Sequence, residues 1–332
     1  MNVLITGGAG FIGSTYVRML LEGELGSIPS NVTVLDKLTY AGNLANLGSS
    51  IKNPRLNFVH GDICDSRLVD KLMAEQDLVI HFAAESHVDR SINDGASFVQ
   101  TNVVGTEVLL ASSVRHNLKT FLHVSTDEVY GSINVGTWKE DQPLAPNSPY
   151  SASKAASDFL VLAYGRTHGL DVRITRCSNN YGRNQFPEKI IPLFITNLID
   201  GKPIPLYGTG ENVREWIHVE DHCRAIRLII ERGLPGQIYN IGGDVELTNL
   251  DLSSIILKAM GKDTSHVLFV EDRKGHDFRY ALNSSVITKE IGYRPKQLFS
   301  EGILDTISWY QAHEEWWRPL RKRHPDSDPR KH

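Results

Sequence analysis

Cysteine is scarce in this chain, which has Cys64, Cys177 and Cys223 as its three cysteines in 332 residues. An odd number of widely separated cysteines supplies neither a disulfide framework nor the close ligand spacing of a structural metal site. We therefore expect no bound metal and a reducing compartment, which indicates the cytoplasm.

Long apolar runs and an excess of one charge are also missing. No stretch approaches the roughly 20 apolar residues that a membrane-spanning helix needs. The first apolar run, Val3–Ile5, is short and lacks the basic leader of a signal peptide. Lysine plus arginine number 35 and aspartate plus glutamate number 39, which gives a net charge of −4. Because this balance attracts neither nucleic acid nor an anionic membrane, we expect neither as a partner.

Short β-branched runs alternate with helical patterns through the first half of the chain. The strand-like runs are Asn2–Thr6, Asn31–Leu35, Asn57–His60, Leu78–His81, Thr120–Val124 and Asp171–Thr175. The helical patterns include Phe11–Glu22, Ser66–Met73, Ala96–Arg115 and Ser151–Thr167. Short apolar runs are typical of strands that are buried on both faces. Their alternation with helices predicts an α/β fold, with a doubly wound parallel sheet covered by helices on both faces.

The alternation weakens after about Tyr181, where prolines divide the chain into short pieces. Strand patterns return at Trp216–Val219 and Gln237–Ile241, around a helical pattern at Glu220–Arg232. We infer that the chain leaves the sheet, returns to it and leaves again. The predicted division is a first domain at 1–180 with a return at about 212–243, a smaller C-terminal α/β domain at 181–211 and 244–317, and a basic, flexible tail at 318–332.

A glycine-rich turn follows the first strand pattern. Gly7, Gly10 and Gly13 form G-x-x-G-x-x-G between that strand and the first helix. Turn glycines let the backbone approach a pyrophosphate, and the N–H groups at the start of the helix bind its charge. The pattern predicts a Rossmann-type dinucleotide-binding domain.

Asp36 ends the second strand pattern, 23 residues after Gly13. An acidic residue near this offset hydrogen-bonds the adenosine ribose and repels a 2′-phosphate, so we expect NAD rather than NADP. Lys37 follows directly and would soften that preference. The alternative for Asp36 is a helix or turn cap. For Asp62, contact with adenine and a role in a turn are equally open.

Tyr150 and Lys154 lie one helical turn apart, so their side chains share one face of a helix. An ammonium group near a phenol stabilises the phenolate and lowers its pKa. The resulting base can take a proton from a substrate hydroxyl while hydride leaves for a nicotinamide. Downstream of a dinucleotide-binding turn, this pair predicts hydride chemistry.

Taken together, the glycine turn and the Tyr–Lys pair resemble the extended short-chain dehydrogenase/reductase family. Within that family, Ser125-Thr-Asp-Glu-Val-Tyr-Gly131 resembles the nucleotide-sugar 4,6-dehydratases. Further segments that resemble them are Asp36–Asn43, Ala83–Ser91, Cys177–Gly182, Phe186–Lys189 and Gly275–Asp277. The resemblance runs from Met1 to about Trp317. It implies a bound NAD and a nucleotide-sugar substrate.

Asp127 and Glu128 are what such a dehydratase needs beyond the Tyr–Lys pair. By resemblance, Tyr150 takes the C4 hydroxyl proton as hydride passes to NAD⁺, and Thr126 hydrogen-bonds the C4 oxygen. Glu128 then removes the C5 proton while Asp127 protonates the departing C6 hydroxyl. Hydride returns to C6, which gives a 4-keto-6-deoxy sugar. Lys154 completes the implied catalytic set.

These roles require opposite protonation of two adjacent residues, with Asp127 neutral and Glu128 ionised. Neighbouring carboxyl groups in a closed site disfavour double ionisation. Successive side chains of a strand point to opposite faces. Both carboxyl groups therefore reach one sugar only if the strand ends near Thr126 and a turn begins there. The alternative is a polar turn in which Asp127 caps a helix.

The resemblance also implies which residues hold each ligand. The implied NAD contacts are Gly7, Gly10, Phe11, Ile12, Gly13, Asp36, Lys37, Thr39, Asp62, Ile63, Phe82, Ala83, Ala84, Ser86, Thr101, Tyr150, Lys154 and Asn180. The implied substrate contacts are Ser86, Thr126, Asp127, Glu128, Asn179, Lys189, Pro205, Tyr207, Arg214, Asn249, Arg273 and His276. Lys274 and Phe278 depart from the pattern of relatives. The resemblance favours thymine as the base of the nucleotide, and uracil remains open.

Two helices are richer in apolar residues than one face of a sheet requires. These residues are Val99, Val103 and Leu109 in the first helix and Phe159, Leu160 and Leu162 in the second. In relatives such helices form a four-helix dimer interface, so we expect a homodimer, with an intramolecular core as the alternative. The functional alternatives are a UDP-sugar 4,6-dehydratase, a nucleotide-sugar 4-epimerase or decarboxylase, or an inactive NAD-binding sensor.

Overall fold

A parallel sheet forms the centre of the computed structural model, which describes residues 1–323. Its strand order is β10-β6-β5-β4-β1-β2-β3, and every neighbouring pair is parallel. The strands of this sheet are β1 Asn2–Thr6, β2 Asn31–Asp36, β3 Leu56–His60, β4 Leu78–His81, β5 Thr120–Thr126, β6 Val172–Cys177 and β10 Ile238–Ile241.

Helices cover both faces of this sheet. The α-helices of the chain are α1 Phe11–Leu21, α2 Ser66–Met73, α3 Val88–Asn93, α4 Gly95–Phe98, α5 Thr106–Arg115, α6 Pro149–His168, α7 Ile190–Ile199, α8 Val219–Arg232, α9 Asn249–Ala259, α10 Ser285–Ile291, α11 Phe299–Ala312 and α12 Glu314–Arg323. Shorter 3₁₀ segments lie at Leu44–Lys52, Asp127–Tyr130 and Thr264–His266.

The pleat of β1 divides the core between the two faces, because successive side chains of a strand point in opposite directions. Val3 and Ile5 pack in a cluster with residues of α1, α8 and α10. Leu4 packs in a second cluster with residues of α2, α5 and α6. The doubly wound parallel sheet that the sequence predicts is therefore confirmed.

The helix expected at Ala96–Arg115 is divided into three parts. It consists of α4, a π-helical segment at Val99–Gly105 and α5. In the π segment, the Asn102 side chain makes two hydrogen bonds to the backbone of Glu85. It accepts the Glu85 N–H at 2.9 Å and donates to the Glu85 carbonyl at 3.0 Å. Such segments often occur at functional sites, and this one fixes the loop that follows β4.

The C-terminal part contains two small sheets and its own core. A three-stranded sheet has the order β11-β9-β7 and a two-stranded sheet pairs β12 with β8. Their strands are β7 Asn179–Tyr181, β8 Ile204–Tyr207, β9 Val213–His218, β11 Val245–Thr248 and β12 Val267–Val270. Of the two strands expected to return to the main sheet, Ile238–Ile241 does so, whereas Val213–His218 pairs with β7 and β11.

The expected flexible tail at 318–332 begins as the second half of α12. Trp317 and Leu320 are buried, and Arg318 contacts Asp200 at 2.8 Å. Apolar anchoring therefore keeps the chain helical to Arg323, and residues 324–332 lie outside the described residues. Across residues 1–323, no helix has the length and apolar character to cross a membrane.

Candidate active site

Two joined cavities open at the carboxyl ends of the parallel strands, where open α/β sheets bind ligands. The first, of about 300 Å³, lies against the ends of β1, β2, β4 and β5. The second, of about 820 Å³, lies between the sheet and the C-terminal part. Ser86, Glu128, Asn179 and Lys189 line both cavities. A ligand in one cavity can therefore touch a ligand in the other at these residues.

The glycine turn lines the first cavity directly in front of α1. Gly7 has a φ of +70°, and a Cβ there would lie 2.5 Å from the backbone nitrogen of Ala83. A Cβ at Gly13 would collide with the Gly7 carbonyl oxygen. Only glycine fits at these positions without moving backbone, and the bare turn leaves room for a diphosphate at the N-terminus of α1.

Asp36 is buried at the end of β2. Its carboxylate accepts the backbone N–H groups of Ala9 and Leu38, both at 2.8 Å. Burial raises its pKa, while these two hydrogen bonds act in the opposite direction. Asp36 therefore caps the glycine turn, as the alternative role has it, and also lines the cavity. Its contact with the adenosine ribose stays a prediction.

Lys37 is paired with Asp62 across the mouth of the first cavity, with 2.7 Å between the ammonium and the carboxylate oxygen. Burial opposes the charge of Asp62, but hydrogen bonds from Lys37 and from the backbone of Cys64 lower its pKa overall. The ammonium expected to soften the preference for NAD is thus engaged by a carboxylate.

Every residue predicted to contact NAD lines the first cavity. Those not described above are Gly10, Phe11, Ile12, Thr39, Ile63, Phe82, Ala83, Ala84, Ser86, Thr101, Tyr150, Lys154 and Asn180. The residues present therefore fit a dinucleotide, because they combine a cleft, a side-chain-free turn at a helix N-terminus and an acidic group at the end of β2.

The predicted acid and base lie where β5 ends. The strand ends at Thr126, and Asp127–Tyr130 forms a 3₁₀ turn. The condition for both carboxyl groups to reach one sugar is therefore met, because the strand stops before them. The Thr126 hydroxyl accepts the backbone N–H of Glu128 at 3.3 Å and donates to Asp127 at 3.2 Å. Both carboxyl groups line the first cavity.

The surroundings of the two carboxyl groups differ in charge. Burial raises the pKa of Asp127 well above its usual value, and the negative charges of Glu128 and Glu215 act in the same direction. Burial also raises the pKa of Glu128, but the cations Lys189, Arg214 and Arg273 oppose that rise. These differences favour a proton on Asp127 and a charge on Glu128, as the predicted roles require.

Tyr150 and Lys154 lie in the first turns of α6, which Ser148 caps by accepting the backbone N–H of Ser151 at 3.1 Å. Burial and then the charge of Glu128 raise the pKa of Tyr150 well above its usual value. The lowered pKa expected from the Tyr–Lys spacing is therefore absent from this structure, since burial dominates.

Lys154 contacts strand β5 of the main sheet. Its ammonium donates to the carbonyl of Val124 at 2.9 Å and lies 3.4 Å from His123. Burial lowers its pKa to about 8. His123 in turn lies 3.4 Å from the buried carboxylate of Asp158. Neither His123 nor Asp158 was predicted. Asp158 follows Lys154 by one helical turn on α6, so its spacing was a usable signal, whereas His123 lies on β5 and only packing brings it beside Lys154.

The remaining predicted substrate contacts line the second cavity. They are Pro205, Tyr207, Arg214, Asn249, Arg273 and His276, together with Asn179 and Lys189 at the junction. The guanidinium of Arg214 donates to the carbonyl of Asp277 at 2.9 Å. Arg273 is paired with Asp89 at 2.6 Å, and His276 with Asp272 at 2.7 Å. Lys189, Arg214 and Arg273 thus give the cavity cationic groups that suit a phosphate-bearing ligand, whereas burial lowers the pKa of His276.

Glu188 is a further residue at the junction that the sequence analysis did not single out. It lines both cavities, its side chain is almost fully buried, and it lies 3.3 Å from Arg90. The segment Phe186–Lys189 is part of the family resemblance, but only the fold brings this carboxylate beside a side chain of α3.

The fold and the site place this chain in the class of dinucleotide-dependent enzymes of the extended short-chain dehydrogenase/reductase type. The first cavity fits a dinucleotide, Tyr150 and the Asp127–Glu128 pair line it, and a second cavity adjoins it. The model of the family described as GDP-mannose 4,6 dehydratase matches residues 4–306. The chain belongs to that family, which confirms the resemblance found in its motifs.

Two relatives with the same activity are similar to this chain over nearly its whole length. A dTDP-glucose 4,6-dehydratase of Streptomyces antibioticus is 60% identical over 325 residues, covering 97% of this chain and 96% of the relative. The crystal structure of DesIV, a dTDP-glucose 4,6-dehydratase from Streptomyces venezuelae with NAD and dTDP bound, is similar with a TM-score of 0.95. It is 56% identical, covering 96% of this chain and 100% of that chain.

A more distant structure has a different activity on the same fold. The UDP-glucose 4-epimerase of Thermotoga maritima, solved with UDP-glucose, has a TM-score of 0.87 and 29% identity, covering 94% of this chain and 99% of that chain. The fold alone therefore does not distinguish dehydration from epimerisation, and the site residues must do so.

Proposed function

We propose that this protein is a dTDP-glucose 4,6-dehydratase, which converts dTDP-glucose to dTDP-4-keto-6-deoxyglucose and water with a bound NAD. The observation that carries this proposal is the Asp127–Glu128 pair, which lies at the end of β5 in the cavity that Tyr150 also lines. A 4-epimerase needs the tyrosine but has no elimination step that would use an acid and a base.

NAD is the cofactor we propose for the first cavity. The glycine turn and the N-terminus of α1 would hold its diphosphate, and Asp36 would accept the hydroxyls of its adenosine ribose. When bound, NAD⁺ supplies a hydride acceptor and a positively charged ring that favours a nearby phenolate. A reaction of this kind would regenerate the cofactor within each turnover, so NAD would stay bound at these residues.

The residues of the chain account for the proton transfers. Tyr150, supported by Lys154, takes the C4 hydroxyl proton as C4 is oxidised. The new ketone acidifies C5, where Glu128 removes the proton, and Asp127 protonates the C6 hydroxyl so that water leaves. After hydride is added at C6, C5 regains a proton from Glu128. Thr126 would hydrogen-bond the C4 oxygen.

The nucleotide is proposed to lie in the second cavity. Arg214, Arg273 and His276 would meet the diphosphate, and Lys189 would reach the sugar end at the junction of the cavities. We retain the division into an NAD-binding domain at 1–180, with a return at about 212–243, and a substrate-binding domain at 181–211 and 244–317. A homodimer formed through a four-helix bundle and a location in the cytoplasm also belong to this proposal.

Deuterium at C4 of the hexose tests the reaction as a whole. With dTDP-glucose labelled at C4, the 4-keto-6-deoxy product should carry the deuterium at C6, which mass spectrometry and nuclear magnetic resonance detect. A mixture of labelled and unlabelled substrates should give no exchange of label between product molecules. Loss of the label to solvent, or the absence of a 4-keto-6-deoxy product, would refute the proposal.

A further inference from the structure

The ammonium group of Lys154 is buried, and the groups that it touches carry no negative charge. Within residues 1–323, its polar contacts are the carbonyl of Val124 at 2.9 Å and the ring of His123 at 3.4 Å. His123 is neutral, because burial lowers its pKa to about 4. A buried charge is costly unless an anion compensates it. The charge that the proposed reaction needs on Lys154 therefore depends on a group beyond these direct contacts.

Asp158 is the carboxylate that lies one helical turn after Lys154 on α6, and residues at this spacing share a helix face. It is fully buried, and its Oδ2 atom accepts the Nε–H of Arg176 at 2.9 Å. Its Oδ1 atom lies 3.4 Å from Nε2 of His123, which is also the nitrogen beside Lys154. Among the described residues, Asp158 is not part of the lining of either cavity. It can therefore act on the reaction only through another residue.

Arg176 keeps Asp158 ionised. Burial acts against the charge of Asp158, but His123 and the charge of Arg176 lower its pKa overall. Arg176 is itself fixed, because it donates to the hydroxyl of Tyr130 at 2.7 Å and its guanidinium lies 4.7 Å from the centre of the Tyr130 ring. Asp158 is thus a fixed negative charge in the core. This charge opposes the fall that burial causes in the pKa of Lys154.

Several elements surround Lys154, and their titratable and charged groups are His81 on β4, His123 on β5, Asp127 in the turn after β5, Tyr150 and Asp158 on α6, and Arg176 and Cys177 on β6. The two histidines are neutral, because burial lowers the pKa of both. Burial raises the pKa of Cys177 to about 12 and also raises that of Asp127, so both keep their protons. The permanent anion of this group is therefore Asp158.

We propose that Asp158, oriented by Arg176, is a positioning residue that keeps Lys154 protonated one helical turn from Tyr150. This inference rests on the proposed function. Lys154, Asp158 and Arg176 together carry one excess positive charge, which a phenolate on Tyr150 would balance. Without the carboxylate, Lys154 would release its proton more readily, and the phenolate that takes the C4 hydroxyl proton would lose its countercharge.

Replacement of Asp158 by asparagine tests the proposal, because asparagine has nearly the same size and no charge. The direct signal is the ¹³C resonance of the Lys154 ε-carbon in the NAD-loaded enzyme, identified by its loss in Lys154→Met. In Asp158→Asn, we expect the midpoint of its titration to fall by about one unit or more, which is a ten-fold or larger loss of proton affinity. NADH formation on rapid mixing with dTDP-glucose should fall by about five-fold at about pH 8 and approach the parent rate near about pH 6.

Asp221→Asn is the matched control for the loss of a buried carboxylate. Asp221 lies on α8, is 1% exposed and accepts the backbone N–H groups of Lys296 and Gln297 at 2.9 and 2.8 Å. Its replacement should lower stability in thermal unfolding. It should change neither the titration midpoint of Lys154 nor the pH profile of NADH formation.

A double variant, Asp158→Asn with Arg176→Met, covers the case in which the single variant does not fold, because it removes the buried ion pair as a unit. Its Lys154 midpoint should also lie below that of the parent, since Asp158 shares the helix face of Lys154 whereas Arg176 lies on β6.

An unchanged or higher midpoint in Asp158→Asn, or in the double variant, would overturn the proposal. An equal loss of NADH formation at every pH would do the same, because it would assign Asp158 a structural role only. If the midpoint falls as expected but the parent enzyme forms no 4-keto-6-deoxy product, the proposed function fails, while the control of the Lys154 charge by Asp158 is supported.

Discussion

At the level of single residues, the two adjacent carboxyl groups acquire different tasks from different neighbours. Burial and the negative charges of Glu128 and Glu215 raise the pKa of Asp127, and Arg214 opposes this rise. Glu128 has two further cations, Lys189 and Arg273, acting with Arg214 against the rise in its pKa. Ser151 also donates a hydrogen bond to Glu128 at 3.1 Å. Asp127 and Glu128 are both carboxylic acids. Their neighbours bias Asp127 toward donating a proton and Glu128 toward accepting one.

Glu128→Gln should separate oxidation from elimination. The carboxylate of Glu128 raises the pKa of Tyr150. Removal of this carboxylate therefore does not hinder formation of the phenolate that takes the C4 hydroxyl proton. We expect the variant to accumulate reduced cofactor on addition of dTDP-glucose, while product formation falls by about 10²- to 10⁴-fold. Stopped-flow absorbance of NADH and quenched product assays measure the two steps separately.

Tyr150→Phe is the comparison for this variant, because it should form almost no NADH with the same substrate. If Glu128→Gln instead forms product at the parent rate, Glu128 is not the base at C5. If it forms no NADH, its role precedes elimination, and the assignment of the two steps is wrong.

At the level of secondary-structure elements, the unit formed by β1, the glycine turn and α1 has the strictest steric requirements in the first cavity. Gly7 and Gly201 offer a matched pair, since their φ values are +70° and +69°. A Cβ at Gly7 meets backbone at 2.5 Å, whereas a Cβ at Gly201 meets nothing within 4 Å. The pair therefore separates backbone strain from steric collision.

Gly7→Ala should lose NAD binding, because the new methyl group pushes the turn away from the loop at Ala83. Gly201→Ala should bind NAD normally and lose only about 1 kcal/mol of stability, as expected for alanine at positive φ. Measurements are the NAD content of the purified proteins and thermal unfolding with and without added NAD. Equal NAD content in the two variants would contradict the assignment of the turn.

Local sequence patterns predicted the elements that depend on local physics. Buried strands such as Asn2–Thr6 are short and apolar, and helix α2 begins at its own cap, because Asp65 accepts the N–H groups of Arg67 and Leu68. The partners of a strand are decided by tertiary contacts instead. Val213–His218 has the pattern of a strand, but nothing within it indicates that β7 and β11, rather than the main sheet, are its neighbours.

The same limit applies to the candidate site. The glycine turn and the Tyr–Lys pair are encoded in short spacings, and the family motifs extended the prediction to residues far apart in the chain. Asp158 lies one turn after Lys154 on α6, but its partner Arg176, which donates to it at 2.9 Å, could not be predicted. Such buried partners come from different elements, β6 and α6, and only packing brings them together.

At the level of the whole molecule, one surface near α6 leaves apolar side chains uncovered. Phe159 is 59% exposed and Val99 is 52% exposed. Leu109, for which a dimer interface and an intramolecular core were both open, is fully buried in a core cluster against the sheet, so the core alternative holds for it. Phe159 and Val99 are the side chains that a second copy would cover in the proposed homodimer.

Phe159→Glu should convert the proposed dimer to a monomer. A buried, unpaired carboxylate is costly at an interface, whereas the parent phenylalanine gains about 1.5–3 kcal/mol when covered. Phe269→Glu is the matched control, because Phe269 is 58% exposed but lies on β12, away from α6. Sedimentation velocity at micromolar concentration should give a dimer for the parent chain and the control, and a monomer for Phe159→Glu. A monomeric parent chain, or a dimeric Phe159→Glu variant, would exclude this surface as the dimer interface.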